Sequence, residues 1–346
     1  MERALALLSP ADSIRRWLLL RAGRAFGPYI VDRDRRVALG FSISIVVAFL
    51  VAVSAPLYLI ALGPLVLGVP HLVSDVRYLV ARPGFDQRLP ILALVGVPLV
   101  VLGVTTDPRA GFLAVVGAAI AATRGTALRR AAVALVGLGL IAIASAWPRA
   151  TMLAFAHLHN LVALVFFWWL RPRRRGLAWL PLAIFGVAIA GLGLGLHEHV
   201  AEPLGTISGR VFGTTFDREV MVLADPLPYP WDGRLLVVFA FAQSVHYAIW
   251  LRVLPDEARA SKTPRSFVQS ARALVADLGG LIVIVAMLGA ALFLFWGFVD
   301  VYHARVRYLA FALFHGYLEL AALGLFFAER GTVLAAPGAS EVIAAE

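Results

Sequence analysis

The eight histidines of this 346-residue chain are the residues best suited to chemistry, because imidazole can bind a metal or carry a proton near neutral pH. The sequence has no cysteine, so any metal must be held by nitrogen or oxygen ligands. This excludes iron–sulfur clusters and thiolate-bound haem. The histidines are His71, His157, His159, His197, His199, His246, His303 and His315.

Carboxylates accompany two of these histidines at helical spacing. Asp75 follows His71 by four residues, and Glu319 follows His315 by four. On a helix, this spacing places the imidazole and the carboxylate on one face, where the acid can act as a ligand or orient the ring. Tyr247 directly follows His246, and we count it with Asp75 and Glu319 as a candidate catalytic residue.

The elements that position these residues are predicted to be transmembrane helices. The chain is 61% hydrophobic with a mean hydropathy of +0.85, which excludes a soluble domain. Its apolar blocks approach the roughly 20 residues needed to cross about 30 Å of hydrocarbon. We predict an all-α, polytopic bundle of about ten spans at 37–56, 57–80, 89–106, 109–124, 128–147, 150–170, 177–197, 233–253, 275–299 and 304–328.

Arginines in alternate connections predict the orientation of the bundle, because basic short loops remain in the cytoplasm. They place both termini in the cytoplasm of a multi-pass protein in a bacterial-type inner membrane. The net charge of +10 then indicates contact with anionic lipid and not with nucleic acid. We predict an N-terminal cytoplasmic or interfacial segment at 1–36, a transmembrane domain at 37–328 with an external loop at 198–233, and a cytoplasmic tail at 329–346.

The topology predicts that histidines from four helices share a layer near the middle of the bilayer. His157 and His159 differ by about 200° around their helix, so only one of them should face the others. We favour His159, which lies nearer the midplane, and keep His157 as a candidate. A single intramembrane histidine often serves only as an interhelical hydrogen bond. Four at one depth favour a metal site, with His71, His159, His246 and His315 as ligands.

The segment Gly68-Val-Pro-His-Leu-Val-Ser-Asp75 resembles the G-x-P-H-x-x-x-D signature of the Brp/Blh family of bacterial membrane carotenoid oxygenases. The resemblance implies cleavage of β-carotene to retinal by molecular oxygen at non-haem iron held by membrane histidines. It assigns His71 and Asp75 to that site. The family has glycine where Leu72 stands here, a later histidine pair where this chain has His315 and Glu319, and fewer spans.

The leading hypothesis is therefore a membrane oxidoreductase that binds non-haem Fe(II) and uses O2 as cosubstrate on a lipid-soluble polyene or acyl chain entering from the bilayer. One alternative is an electron carrier in which pairs of histidines clamp haem b. Another is a proton-coupled transporter that uses the intramembrane histidines, Asp75 and Glu319 as a relay. A retinal-binding pump is excluded, because its Schiff base needs a lysine within a span and Lys262 lies in a loop.

Overall fold

The structure is a computed structural model that describes residues 8–21, 23, 27–169, 175–199, 215–225, 227–258 and 264–329. These residues form helices and short connections without a strand, which confirms the all-α prediction. The principal helices are α1 (Ser9–Arg21), α2 (Arg33–Ser54), α3 (Pro56–Ala81), α4 (Leu89–Thr105), α5 (Pro108–Ala121), α6 (Ala127–Ala146), α7 (Pro148–Trp169), α8 (Arg175–Gly193), α9 (Phe216–Leu223), α10 (Trp231–Glu257), α11 (Phe267–Leu278), α12 (Gly280–Val299) and α13 (Val301–Ala328).

Eight of the described helices are long and apolar enough to cross a membrane: α2, α3, α6, α7, α8, α10, α12 and α13. The chain is thus a multi-pass membrane protein of the polytopic helical class. The two remaining predicted spans correspond to the shorter apolar helices α4 and α5. The count of ten spans and the cytoplasmic placement of both termini stay predictions.

Local sequence signals explain where several helices begin. Proline occupies the first turn of α3 and α5, where its missing N–H would have no helical partner. Asp32 and Asp300 cap α2 and α13 with side-chain hydrogen bonds to backbone N–H groups. Ser266 and Gln269 form a capping box at the start of α11.

The predicted span at 275–299 is two helices in the structure. Gly279 has a φ of +84°, a conformation that glycine adopts without a steric penalty, and it separates α11 from α12. Asp277 consequently lies at the end of α11, where its carboxylate accepts hydrogen bonds from Arg77 and Arg82 of α3. The break moves this acid out of the long apolar helix that the hydropathy pattern predicted.

Wide π-helical turns interrupt the two most buried histidine-bearing helices. In α3 they span Gly63–Leu67 and Val76–Ala81, on either side of the α-helical segment that carries His71. In α10 a π-helical turn at Ile249–Val253 begins three residues after His246. Such turns shift the angular register of a helix, and they occur often at functional sites.

The predicted external loop at 198–233 contains the short helix α9, which packs against the start of α10. Glu219 of α9 and Arg305 of α13 form a fully buried ion pair with an oxygen–nitrogen distance of 2.6 Å. Residues 200–214 and Pro226 of this loop, Lys262, and the predicted tail from 330 lie outside the described residues.

Candidate metal centre

The structure brings four of the sequence-predicted histidines together in the interior of the bundle. His71 comes from α3, His159 from α7, His246 from α10 and His315 from α13. The ring centroid of His71 lies 4.7 Å from that of His246 and 5.0 Å from that of His315. The His159 ring lies 5.4 Å from His246 and 5.2 Å from His315. Below, these four residues are called the histidine cluster.

The ring nitrogens face one another at short range. The Nε2 atoms of His71 and His246 are 3.0 Å apart. His71, His246 and His315 each offer a nitrogen within 4.8 Å of the other two, a spacing at which one cation can contact all three. Imidazole nitrogens from separate helices therefore converge on a common point.

Backbone carbonyls fix the tautomers of two cluster histidines. The Nδ1 atom of His159 lies 3.1 Å from the carbonyl oxygen of Phe155, and Nδ1 of His315 lies 2.5 Å from that of Ala312. A carbonyl oxygen only accepts, so each Nδ1 carries the proton and donates. The lone pair is then on Nε2, which is the arrangement that neutral imidazole needs to bind a metal.

Two buried carboxylates border the cluster. An oxygen of Asp75 lies 3.2 Å from Nδ1 of His71, and an oxygen of Glu319 lies 3.2 Å from Nε2 of His246. Both acids are 0% exposed, and with His71 they form a second group whose ligand atoms lie within 4.8 Å of one another. The first four-residue spacing thus brings Asp75 to His71 of the same helix, whereas Glu319 contacts His246 of α10 instead of His315.

The oxygens of Asp75 and Glu319 accept no hydrogen bond of good geometry from any residue that the structure describes. Burying a carboxylate without hydrogen bonds or a counter-charge is strongly unfavourable. Imidazole nitrogens and carboxylate oxygens together form a donor set that suits iron, manganese or zinc. A divalent cation would neutralise the two acids, so these residues fit a metal.

Tyr247, the third predicted catalytic residue, packs its ring edge-on against His71 with the centroids 5.2 Å apart. Its position depends on Gly63, because a Cβ there would lie only 3.3 Å from the tyrosine ring. Tyr247 is therefore a wall of the site beside His71.

His157 points away from the cluster. Its Nε2 lies 2.7 Å from the carbonyl oxygen of Leu223, and its ring packs against Phe239 at 5.1 Å. His157 therefore ties α7 to the end of α9, while His159, two residues later, faces the other histidines. The structure thus separates the pair as the 200° offset requires.

The remaining histidines lie apart from the cluster. His303 is exposed and bonds to Asp300 at the start of α13. His197 is buried in a short turn at Leu196–His199, beyond the end of α8. The side chain of His199 lies outside the described residues.

Sequence reasoning missed the residues that support the cluster. A Cβ at Gly316 would lie 3.1 Å from the Phe155 ring and 3.3 Å from Cβ of His159, so this glycine sets the approach of α13 to α7. A Cβ at Gly68 would overlap the ring of Tyr308. Both glycines lie within three residues of a cluster histidine in the sequence, and that proximity was the available signal.

The four cluster histidines differ in how much of their surface is exposed. His71 and His246 are 0% and 1% exposed, whereas His159 and His315 are partly exposed. The ring of Phe155 stacks on Tyr317 beside His159, with centroids 4.1 Å apart. His159 and His315 are thus the less enclosed members of the cluster, and aromatic rings lie beside His159.

A comparison of this chain with protein-family models, curated proteins and solved structures finds no match. The resemblance to the carotenoid oxygenases accordingly depends on the segment Gly68–Asp75, and the site is interpreted from its own geometry.

Proposed function

We propose that this protein is a membrane-embedded oxygenase that binds non-haem iron in the histidine cluster and oxidises a lipid-soluble substrate with O2. The observation that carries the proposal is the convergence of four imidazoles from four helices beside two buried carboxylates that accept no hydrogen bond from the described residues. A metal centre is the simplest arrangement that satisfies all of these groups.

The residues would divide into ligands and orienting groups. His71, His159, His246 and His315 would bind the metal, and His159 and His315 each have their Nε2 lone pair directed away from a backbone carbonyl. Asp75 would hold the ring of His71 through Nδ1, a carboxylate–histidine pairing common at metal sites. Glu319 would complete the ligand set or fix His246.

When bound, iron would supply the activation of molecular oxygen that an organic side chain cannot provide. The protein would contribute orientation and exclusion of water. Carbonyl oxygens of Phe155 and Ala312 keep the Nδ1 protons in place, and the apolar rings of Tyr247 and Phe155 limit access to the cluster. A dry site suppresses side reactions of reactive oxygen species.

A polyene or acyl chain is the substrate class that fits this position. The cluster lies inside a bundle of apolar helices, so a substrate from the bilayer need not cross water to reach it. The resemblance of Gly68–Asp75 to the Brp/Blh signature supports a carotenoid, with retinal as the product. The aromatic surface beside His159 would pack well against a conjugated chain.

The cluster geometry favours a metal ion over haem b. A haem clamped by two histidines needs a slot for the porphyrin between the rings. Within the described residues, the four rings contact one another edge to face, with centroids 4.7 to 6.1 Å apart. A proton relay uses the same residues, and the metal content of the protein distinguishes it from an oxygenase.

The test is the metal content and visible spectrum of detergent-purified protein beside a His71→Ala/His315→Ala variant. We expect about one iron per chain, no Soret band, and loss of iron in the double variant. The matched control is His157→Ala, which removes a histidine outside the cluster and should retain iron. Iron-bound protein should then be assayed for O2-dependent cleavage of β-carotene.

Folded wild-type protein that takes up no iron, manganese or zinc on addition of these ions would contradict the proposal and leave the relay as the better explanation. A Soret band lost in the double variant would instead support the haem alternative.

A further inference from the structure

A cavity of about 910 Å³ lies at the arginine-rich end of the bundle. Its walls come from α2, α3, α10 and α12, and α1 and α11 border it. It touches α3 at Val69, Val73 and Arg77, and the four cluster histidines are not part of its lining. The cavity is therefore a compartment separate from the candidate metal centre.

One part of this cavity is apolar. Leu39 and Ile43 of α2 face Val283 and Met287 of α12 across it. The volume falls within the several hundred to about 1,000 Å³ typical of ligand sites. Because α12 is one of the least buried helices of the bundle, this part of the cavity lies beside the surrounding lipid. An acyl chain matches both its shape and its chemistry.

The other part of the cavity is strongly basic. Five arginines line it, and Asp256 is the only acid among the described lining residues; the arginines are Arg15, Arg36, Arg77, Arg252 and Arg265. Arg36 is paired with Asp256 at 2.8 Å, and Arg77 is paired with Asp277 at 2.7 Å. The two acids leave an excess of three positive charges.

Arg252 of α10 lines the cavity and packs against Gly40 of α2. A Cβ at Gly40 of α2 would lie 2.8 Å from Nη2 of Arg252, so the glycine leaves room for the guanidinium against α2. Within the described part of the chain, Arg252 forms no ion pair. Arg252 is exposed, so its side chain is available to an anion.

Contacts with the start of α11 hold helix α1 beside the basic part of the cavity. The Asp12 carboxylate accepts hydrogen bonds from the backbone N–H groups of Phe267 and Val268, at 2.6 and 3.2 Å, at the start of α11. Arg15 donates to the carbonyl oxygen of Arg265 and lies 5.5 Å from the Phe267 ring. These contacts hold Arg15 and Arg265 next to each other on the cavity wall.

We propose that this cavity binds one anionic phospholipid, with an acyl chain between α2 and α12 and the phosphate among Arg15, Arg252 and Arg265. The charge of the wall is complementary to an anionic headgroup, and the apolar part requires a tail. Basic pockets between transmembrane helices are suited to anionic headgroups of the cytoplasmic leaflet. This lipid site does not depend on the proposed oxygenase activity.

The test is native mass spectrometry of the full chain, released from detergent, titrated with phosphatidylglycerol and separately with phosphatidylcholine. We expect one phosphatidylglycerol to bind at least tenfold more tightly than phosphatidylcholine. Arg252→Gln/Arg265→Gln should weaken phosphatidylglycerol about 25-fold, from roughly fivefold for each arginine. The matched control, Arg124→Gln/Arg129→Gln, removes two arginines that do not line the cavity and should bind as the wild type does.

A second pair of variants tests the position of the acyl chain without changing the charge of the protein. Ala286→Trp fills the apolar part of the cavity, whereas Leu288→Trp adds the same side chain to the outer face of the same helix, where Leu288 is 66% exposed. We expect only Ala286→Trp to abolish the tight phosphatidylglycerol complex, with both variants eluting as the wild type does on size exclusion.

Equal affinity for the two lipids would overturn the proposal, as would equal effects of the two tryptophan variants. Inorganic phosphate that binds the wild type as tightly as phosphatidylglycerol would also overturn it, because the site would then recognise a free anion.

Discussion

Two sites in this bundle bury carboxylates, and they differ in what compensates the buried negative charge. Glu219 is 0% exposed and pairs with Arg305 at 2.6 Å, so its charge is neutralised by a side chain of the protein. Asp75 and Glu319 are equally buried, yet their nearest ionisable partners are imidazoles at 3.2 Å. The first site has its counter-charge within the protein itself.

The difference indicates what each site does. An ion pair between α9 and α13 holds two elements together and places an arginine beside the buried acid. The pair Asp75 and Glu319 is costly without a cation, and protein stability alone would favour replacing it with apolar residues. Retaining both acids beside the histidine cluster therefore supports a bound metal.

Breaking the ion pair between Glu219 and Arg305 should have the largest effect on stability. Arg305→Met leaves Glu219 buried without its partner, and we expect a loss of about 3 to 5 kcal/mol in the free energy of unfolding. Denaturant titration in detergent micelles measures it. The control Arg109→Met breaks an ion pair whose arginine side chain is 57% exposed, so its effect on stability should be much smaller.

If the burial of Glu219 is what makes the loss large, Glu219→Gln/Arg305→Met should recover most of it. A double variant as unstable as Arg305→Met would show that packing of the arginine stem, and not the charge pair, stabilises the helices.

The stability of the proposed metal site should respond to loss of an acid with the opposite sign. In protein stripped of metal by a chelator, Glu319→Gln removes a buried negative charge, and we expect a gain of about 1 to 3 kcal/mol in the free energy of unfolding. In metal-loaded protein the same substitution should be destabilising. The matched change Glu219→Gln should destabilise both forms, and the same response to Glu319→Gln in both would contradict a metal role.

A larger side chain at the contact between α13 and α7 should weaken metal binding more than it lowers the free energy of unfolding. A methyl group at Gly316 meets Phe155 and His159, so Gly316→Ala should displace the His159 ring and raise the metal dissociation constant about tenfold. Competition with a chromophoric chelator measures this constant. Gly289→Ala is the control, since a Cβ there has nothing within 4 Å; equal constants for both variants would contradict the role of Gly316.

The smallest effect on stability is expected for Asp277, at the arginine-rich end of the bundle. Burial alone would raise the pKa of Asp277, but hydrogen bonds from Arg77 and Arg82 and their charges outweigh it and hold the pKa below its ordinary value. A lowered folded-state pKa stabilises the protein above about pH 4, and this stability is lost as the pH falls through the folded pKa.

The melting temperature of Asp277→Asn should therefore lie a few degrees or less below the wild type at pH 7, and the gap should close on acidification below about pH 4. A constant gap across this range would show that the charge of Asp277 does not stabilise the contact between α3 and α11.

The sequence alone predicted most of the helices, because the long apolar blocks are a local signal that needs no knowledge of the partner helices. It did not predict the break at Gly279 or the π-helical turns around His71. A glycine or proline in an apolar run is compatible with either a continuous or a broken helix, and packing decides between them.

For the candidate site, the four-residue spacings of His71 with Asp75 and of His315 with Glu319 were readable from helical periodicity. The sequence thus determined which residues share a face and an approximate depth. Only the tertiary structure decided that α3, α7, α10 and α13 meet, that His159 faces the cluster, and that His157 bonds to Leu223. Periodicity fixes directions within one helix, whereas contacts between helices depend on the packing of the whole bundle.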